Sequence, residues 1–223
     1  WRRWNRWPKA EVSEVNDSRS PSRRILVVED TRSISGFLCR QIEETLDFEP
    51  VPAYTLAEAA SILEEDETFF VAVLDLNLPD AADGEVVDLV LEKGIPAIVL
   101  TGSFDETLRE EILDKNVVDY ILKDSPGSLD HVKNLIQRIY RNQEVGVLLV
   151  DDSRFFRSFC RTLLEAQKFR VLEAGNGKDG LDVLSRNPDV RLIITDYNMP
   201  EMDGFEFVSR VREVHGRNEL GII

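Results

Sequence analysis

The sequence predicts a parallel α/β sheet covered by helices on both faces, built twice in tandem. Three observations predict it. Short apolar runs alternate with segments of helical periodicity. Two of those runs end on adjacent acids: RILVVED closes on Glu29 and Asp30, and GVLLVDD closes on Asp151 and Asp152. The rest of the pattern then recurs at a nearly fixed distance. Glu29 and Asp151 lie 122 residues apart, Asp75 and Asp196 lie 121 apart, and Gly84 and Gly204 lie 120 apart. An offset that drifts one residue at a time is what loop-length changes leave in a duplicated domain. The expected division is a tail and linker over 1–23, a first copy over 24–142 and a second over 145–223.

In the first copy, residues 25–28 (ILVV), 69–74 (FFVAVL), 95–100 (IPAIVL) and 119–122 (DYIL) are apolar runs of strand length. Runs of that kind belong to strands buried on both faces. Between the first two, Ile34, Phe37, Leu38 and Ile42 recur at helical spacing. TLAE, residues 55–58, is a capping-box pattern that opens a second helix. Leu129, Val132, Leu135, Ile136 and Ile139 mark a last helix over 128–142. Such alternation gives a parallel sheet with helices on both sides. About three residues join that last helix to the next strand near Gly146, with no Gly/Ser-rich or Pro-rich spacer. The two copies are therefore expected to hold a restricted orientation.

Composition narrows the function. The chain has 223 residues, 43% of them hydrophobic, which suits a globular protein. A net charge of -15 argues against a nucleic-acid partner, since phosphate binding draws on Lys and Arg. No apolar run approaches the roughly 20 residues that span a bilayer. The two cysteines, Cys39 and Cys160, sit in apolar helical patterns without a CxxC and read as structural thiols of a cytoplasmic protein. His131 and His215 lie in charged helical surroundings with no metal-ligand partners at suitable spacing. The head WRRWNRWPK carries all three tryptophans and reads as a tail.

In open parallel sheets, ligands bind beyond the carboxyl ends of the strands. That rule places Glu29, Asp30, Asp75, Thr101 and Lys123 around one shallow cleft. Three carboxylates at adjoining strand ends repel one another and call for a counterion. Oxygen-only ligands open to water suit Mg²⁺, which takes one or two carboxylates together with phosphate oxygens. A lysine and a hydroxyl at the same point complete a phosphoryl-binding set: Lys123 neutralises one oxygen and Thr101 donates to another. Taken singly, Asp75 reads as a loop cap and Lys123 as a solvated charge. The five together read as a site.

The set VVED (27–30), LDLNLPDAADG (74–84), VLTGS (99–103) and YILKD (120–124) resembles a receiver domain of two-component response regulators. LVDDS (149–153), ITDYNMPEMDG (194–204) and LGII (220–223) resemble it a second time. The resemblance implies a doubly wound, flavodoxin-like five-stranded sheet of order 2-1-3-4-5 in each copy, truncated in the second. It implies a cytoplasmic, phosphorylation-dependent switch that takes a phosphoryl group from a sensor histidine kinase or histidine phosphotransfer protein. Beyond self-catalysed transfer and autodephosphorylation, it implies no enzyme. Asp75 is then the phosphoacceptor, and Glu29, Asp30, Asp75 and the Asn77 carbonyl hold Mg²⁺. Thr101 and Lys123 read the phosphoryl group, and Tyr120 takes the aromatic switch position. In the second copy Asp151, Asp152, Asp196 and the Asn198 carbonyl correspond, with Asp196 as candidate acceptor. Homodimerisation through a receiver face is a further expectation.

Three departures qualify the resemblance. Lys123 is followed by Asp124 where many receivers have proline. PDAADG is one residue longer than PEMDG, which lengthens the loop beside Asp75. The second copy stops at the start of a fourth strand, before the hydroxyl and the lysine, so the chain reads as a piece of a longer protein. Tandem receivers in this family often precede a diguanylate cyclase, which makes a regulatory or dimerisation adaptor the second reading. An aspartyl-nucleophile phosphatase is disfavoured, because it needs an acid two residues after the nucleophile. Those positions hold Asn77 and Asn198. GNGKDG (175–180) fits the glycine pattern of dinucleotide sites. The first copy has no glycine there, so Asn176 is read as a helix cap, Gly177 as relaxing the first turn and Gly180 as a close-packing residue.

Overall fold

The computed structural model describes residues 23–66, 68–102 and 105–223; the expected tail with its tryptophans lies outside them. The first sheet is built from β1 (Arg24–Val28), β2 (Glu49–Ala53), β3 (Val71–Leu74), β4 (Ala97–Thr101) and β5 (Asp119–Leu122). Between and after them run α1 (Arg32–Leu46), α2 (Leu56–Glu65), α3 (Glu85–Glu92), α4 (Glu106–Asp114) and α5 (Ser128–Asn142). All pairings are parallel, in the order β2-β1-β3-β4-β5. Alternate strand residues feed two cores. Leu26, Val28, Ala72, Leu74 and Val99 pack with α2 and α3, while Ile25, Val27, Val73, Ile98 and Leu100 pack with α1 and α5.

Local sequence explains most of these elements. Thr55 caps α2 by accepting from Glu58 N at 3.0 Å, and the Glu58 carboxylate reaches back past the cap to accept from Tyr54 N at 2.7 Å. β2 is no apolar run, since EPVPA holds two prolines; as an edge strand it tolerates them. β3 and β4 begin two residues later than their apolar runs. Phe69, Phe70 and Ile95 are buried ahead of the ladder, and Pro96 has no amide to give it. Along α1, Leu38 and Ile42 face the core, but Phe37 is 46% exposed and Ser35 takes the third buried position. At about 100° per residue, positions 35, 38 and 42 share a face that 37 cannot join. Cys39 and Cys160 are free and half-buried, and burial raises both thiol pKa values.

The second sheet repeats the plan with β6 (Gly146–Val150), β7 (Arg170–Ala174), β8 (Val190–Thr195) and β9 (Gly221–Ile222), in the order β7-β6-β8-β9. Its helices are α6 (Arg154–Ala166), α7 (Gly177–Arg186) and α8 (Gly204–Val214). One face carries a core of Leu148, Val150, Ile193, Phe207 and Val211. On the other face α6 buries no residue fully, and Phe155 is 83% exposed. In GNGKDG, Asn176 caps α7 by accepting from Asp179 N at 2.9 Å. Gly180 meets the Phe207 ring, which a Cβ would approach to 3.0 Å. Gly177 is explained by close approach to Met202 and Phe207 rather than by relaxation of the turn.

The two copies touch through the turn that follows α6. Gln167 Nε2 donates to Val118 O at 2.9 Å, Arg138 Nη2 donates to Gln167 Oε1 at 3.0 Å, and Asn142 Nδ2 donates to Gln167 O at 2.8 Å. Beside it the Lys168 ammonium lies 6.0 Å from the centre of the Phe70 ring, and burial lowers its pKa. No helix of the described residues is long and apolar enough to cross a membrane.

Candidate functional site

Glu29, Asp75 and Lys123 each directly follow a strand and are pinned by the ladder itself. Glu29 N donates to Ala53 O at 3.0 Å, Asp75 N to Val28 O at 2.8 Å and Lys123 N to Thr101 O at 2.8 Å. The sheet's hydrogen bonding thus continues into the residues that carry the chemistry, and their side chains emerge at one edge. Glu29, Asp75 and Thr101 are buried, whereas Asp30 is exposed.

Lys123 holds the centre. Its Nζ lies 2.7 Å from Glu29 Oε2 and 2.7 Å from Asp75 Oδ2. Burial works against the ammonium, but hydrogen bonds to Asp75 and Glu29 outweigh it and hold the lysine pKa above its ordinary value. Burial also pushes the Glu29 carboxyl upward, and Lys123 offsets this only in part. Asp75 Oδ1 accepts from Asn77 N at 3.3 Å, and Glu29 Oε1 from Thr31 N at 3.2 Å. Ser128 Oγ donates to Lys123 O at 2.9 Å and so fixes the lysine from behind. Sequence reasoning missed Ser128, although it opens α5 five residues past the lysine.

Glu29, Asp30 and Asp75 each bring a carboxylate oxygen into a group whose donor atoms all lie within 4.8 Å of one another. Oxygen-only donors, two of them buried and one reaching water, fit a hard divalent cation such as Mg²⁺. Tyr120 is half-buried on β5 with the Arg109 guanidinium 6.0 Å from its ring centre, and burial raises its pKa. No cis peptide occurs among the described residues, the bond between Lys123 and Asp124 included.

The second copy keeps the ladder and loosens the cluster. Asp151 N donates to Ala174 O at 3.1 Å and Asp196 N to Val150 O at 2.9 Å, as their counterparts do. Asp151 is buried and accepts from Ser153 N at 2.7 Å, while Asp152 and Asn198 are exposed. Among the described residues, Asp151, Asp152 and Asp196 do not gather as tightly as Glu29, Asp30 and Asp75. Arg157 donates to the Asp151 carbonyl and pairs at 3.5 Å with Glu173, which Arg161 holds at 2.6 Å. Neither arginine was singled out in the sequence.

Residues 147–223 match the family model described as the response regulator receiver domain. Over 80 residues the chain is 44% identical to the two-component response regulator ORR3 of Oryza sativa subsp. indica. That match takes in 36% of this chain and 61% of the relative. The Campylobacter jejuni protein named chemotaxis protein CheY homolog is 42% identical over 78 residues, with 34% of this chain and 60% of that protein covered. The chain thus spans about 61% of the length of the rice relative it matches. A solved structure of a two-component system response regulator/GGDEF domain protein superimposes with a TM-score of 0.76 at 37% identity. It covers 89% of this chain and 80% of the other. A second structure of that description gives 0.76 at 38% identity, with the same coverage.

Proposed function

The chain belongs to the response regulator receiver family, and from that premise we propose that residues 24–142 act as a phosphorylation-dependent switch whose acceptor is Asp75. The observation that carries this reading is the Lys123 ammonium set 2.7 Å from both Asp75 and Glu29 within a cluster of three carboxylates. An Asp75 carboxylate oxygen attacks the phosphorus of a phosphohistidine on a sensor kinase or phosphotransfer protein. The P–N bond breaks, the electron pair leaves with the imidazole, and an acyl phosphate forms on Asp75. Lys123 then balances charge on the phosphoryl oxygens, and the buried Thr101 hydroxyl donates to one of them. Glu29, Asp30, Asp75 and the Asn77 carbonyl would hold Mg²⁺, which supplies further neutralisation of that charge when bound.

Acetyl phosphate tests the assignment. With Mg²⁺, intact-mass analysis should show the chain gaining one phosphoryl group that hydroxylamine removes, and Asp75→Ala should abolish it. Label that survives the substitution would overturn the choice of acceptor. A second reading concerns what the switch controls. Likeness to two response regulator/GGDEF proteins over 89% of the chain favours both copies as the regulatory part of a protein with a GGDEF output, the second serving as adaptor.

A further inference from the structure

The loop from Asp75 to Gly84 folds back at its tip. Leu78 N donates to Ala81 O at 2.8 Å and Ala81 N to Leu78 O at 3.2 Å, with Pro79 and Asp80 between them. Leu78 and Ala81 are buried, so the base of this tight turn is fixed in the core and Asp80 stands at its tip. From there both carboxylate oxygens reach α2. Leu56 N donates to Oδ1 at 2.8 Å and Ala57 N donates to Oδ2 at 3.0 Å. These are amides that a helix leaves without partners of its own in its first turn. The bonds from Ala57 and Leu56 lower the Asp80 pKa, so the tie is made by an ionised carboxylate.

The second copy makes the same connection by another route. Gly177, the residue after the α7 cap as Leu56 is after the α2 cap, donates to Met202 O at 3.2 Å. A Cβ on Gly177 would lie 2.9 Å from that oxygen and 2.8 Å from Met202 Cγ. Only glycine lets the loop backbone come so near. With leucine at position 56, the first copy cannot use direct backbone contact and must span a gap. The loop with one residue more, carrying a carboxylate at its tip, spans it.

We infer that Asp80 is a positioning residue for the Asp75 site: it ties the loop running from Asp75 through Asn77 to the start of α2. The tie fixes the backbone that presents the Asn77 carbonyl and the Asp75 carboxylate to a divalent cation and a phosphoryl group. The inference rests on the reading of Asp75 as acceptor. Two measurements test it separately from that reading, using the whole chain. The first is amide hydrogen exchange without Mg²⁺. Asp80→Ala should speed exchange at Leu56 and Ala57 and also at Leu78 and Ala81. The second is Mg²⁺ titration by calorimetry, where Asp80→Ala should weaken binding about tenfold, as loss of a residue that orients metal ligands does. Asp80→Asn, which keeps one acceptor oxygen, should fall between, and it stands in if the alanine variant does not fold. Faster exchange confined to Leu56 and Ala57, or an unchanged Mg²⁺ affinity, would reduce Asp80 to a helix cap and overturn the inference. A wild-type chain that binds no Mg²⁺ would overturn the site reading and, with it, the role given to Asp80.

Discussion

Lys123 Nζ stands 2.7 Å from Asp75 Oδ2, and at the same distance from Glu29, so a single ammonium separates two buried carboxylates. Each carboxylate is more than nine-tenths buried at its side chain, and neither has enough water around it to screen the other. The lysine therefore serves the fold as well as the proposed chemistry.

Lys123→Ala should accordingly have two effects. Without the cation, phosphorylation from acetyl phosphate should slow by about 10²-fold, the usual loss for one preorganised charge contact. Without Mg²⁺, stability should fall by about 3 kcal/mol, because a broken buried pair leaves charge uncompensated. Adding Mg²⁺ should recover part of that loss, since the cation replaces the missing charge among Glu29, Asp30 and Asp75. Thermal unfolding with and without Mg²⁺ reads both. A melting temperature equal to that of the wild type in Mg²⁺-free buffer would contradict the structural role.

The contact between the copies makes a second prediction. Gln167 takes part in three hydrogen bonds across it, two through its side chain amide. Gln167→Ala removes those two and keeps the bond from Asn142 to its main-chain oxygen. Small-angle scattering should show a compact, narrow distribution of distances for the wild type and a broader one for the variant. A broad wild-type distribution would show that this turn does not restrain the copies.

A third prediction concerns pH. Burial alone would raise the Glu173 pKa, but Arg161 and then Arg157 outweigh it and hold the carboxyl below its ordinary value of 4.5. The sign follows from proton linkage: a folded pKa below the unfolded one adds stability above 4.5 that is lost as pH falls through the folded value. Glu173→Gln should therefore cost about 1 kcal/mol at neutral pH, as for a partly exposed ion pair. The gap to the wild type should close as the medium is acidified below the ordinary carboxyl range. A gap in melting temperature that does not change with pH would rule out the linkage.

Much of this architecture was legible because buried parallel strands announce themselves. ILVV and FFVAVL can hardly be anything else, and Glu29, Asp30, Asp75, Thr101 and Lys123 follow from where such strands end. Elements that depend on tertiary contact were not legible. β2 carries two prolines and is a strand only because β1 lies beside it. Phe37 follows Ile34 at helical spacing, yet α1 centres its buried face on Ser35, Leu38 and Ile42 and leaves Phe37 exposed. In the sequence Asp80 is only one residue of a loop longer than its counterpart. Its meaning appears only when the first turn of α2, 24 and 23 residues earlier in the chain, arrives within hydrogen-bond reach.

The last prediction is that Asp75 outpaces Asp196 as acceptor in this chain. Both sit directly after a central strand, tied by the same type of ladder bond to the neighbouring strand. Asp151 is buried, as Glu29 is. The difference lies in positive charge. Lys123 pairs with Asp75 at 2.7 Å, whereas no salt bridge reaches Asp196 among the described residues. Arg157 of α6 is already engaged by the Asp151 carbonyl and by Glu173. β9 supplies two paired residues, Gly221 and Ile222, beside β8. One absent preorganised charge contact slows transfer by about 10²-fold, so Asp196 should trail Asp75 by about that factor or more. Peptide mapping after a time course with saturating acetyl phosphate measures the ratio. Comparable label on the peptides carrying Asp75 and Asp196 would sink the prediction, and would mean that a neighbouring chain lends the second copy its cation.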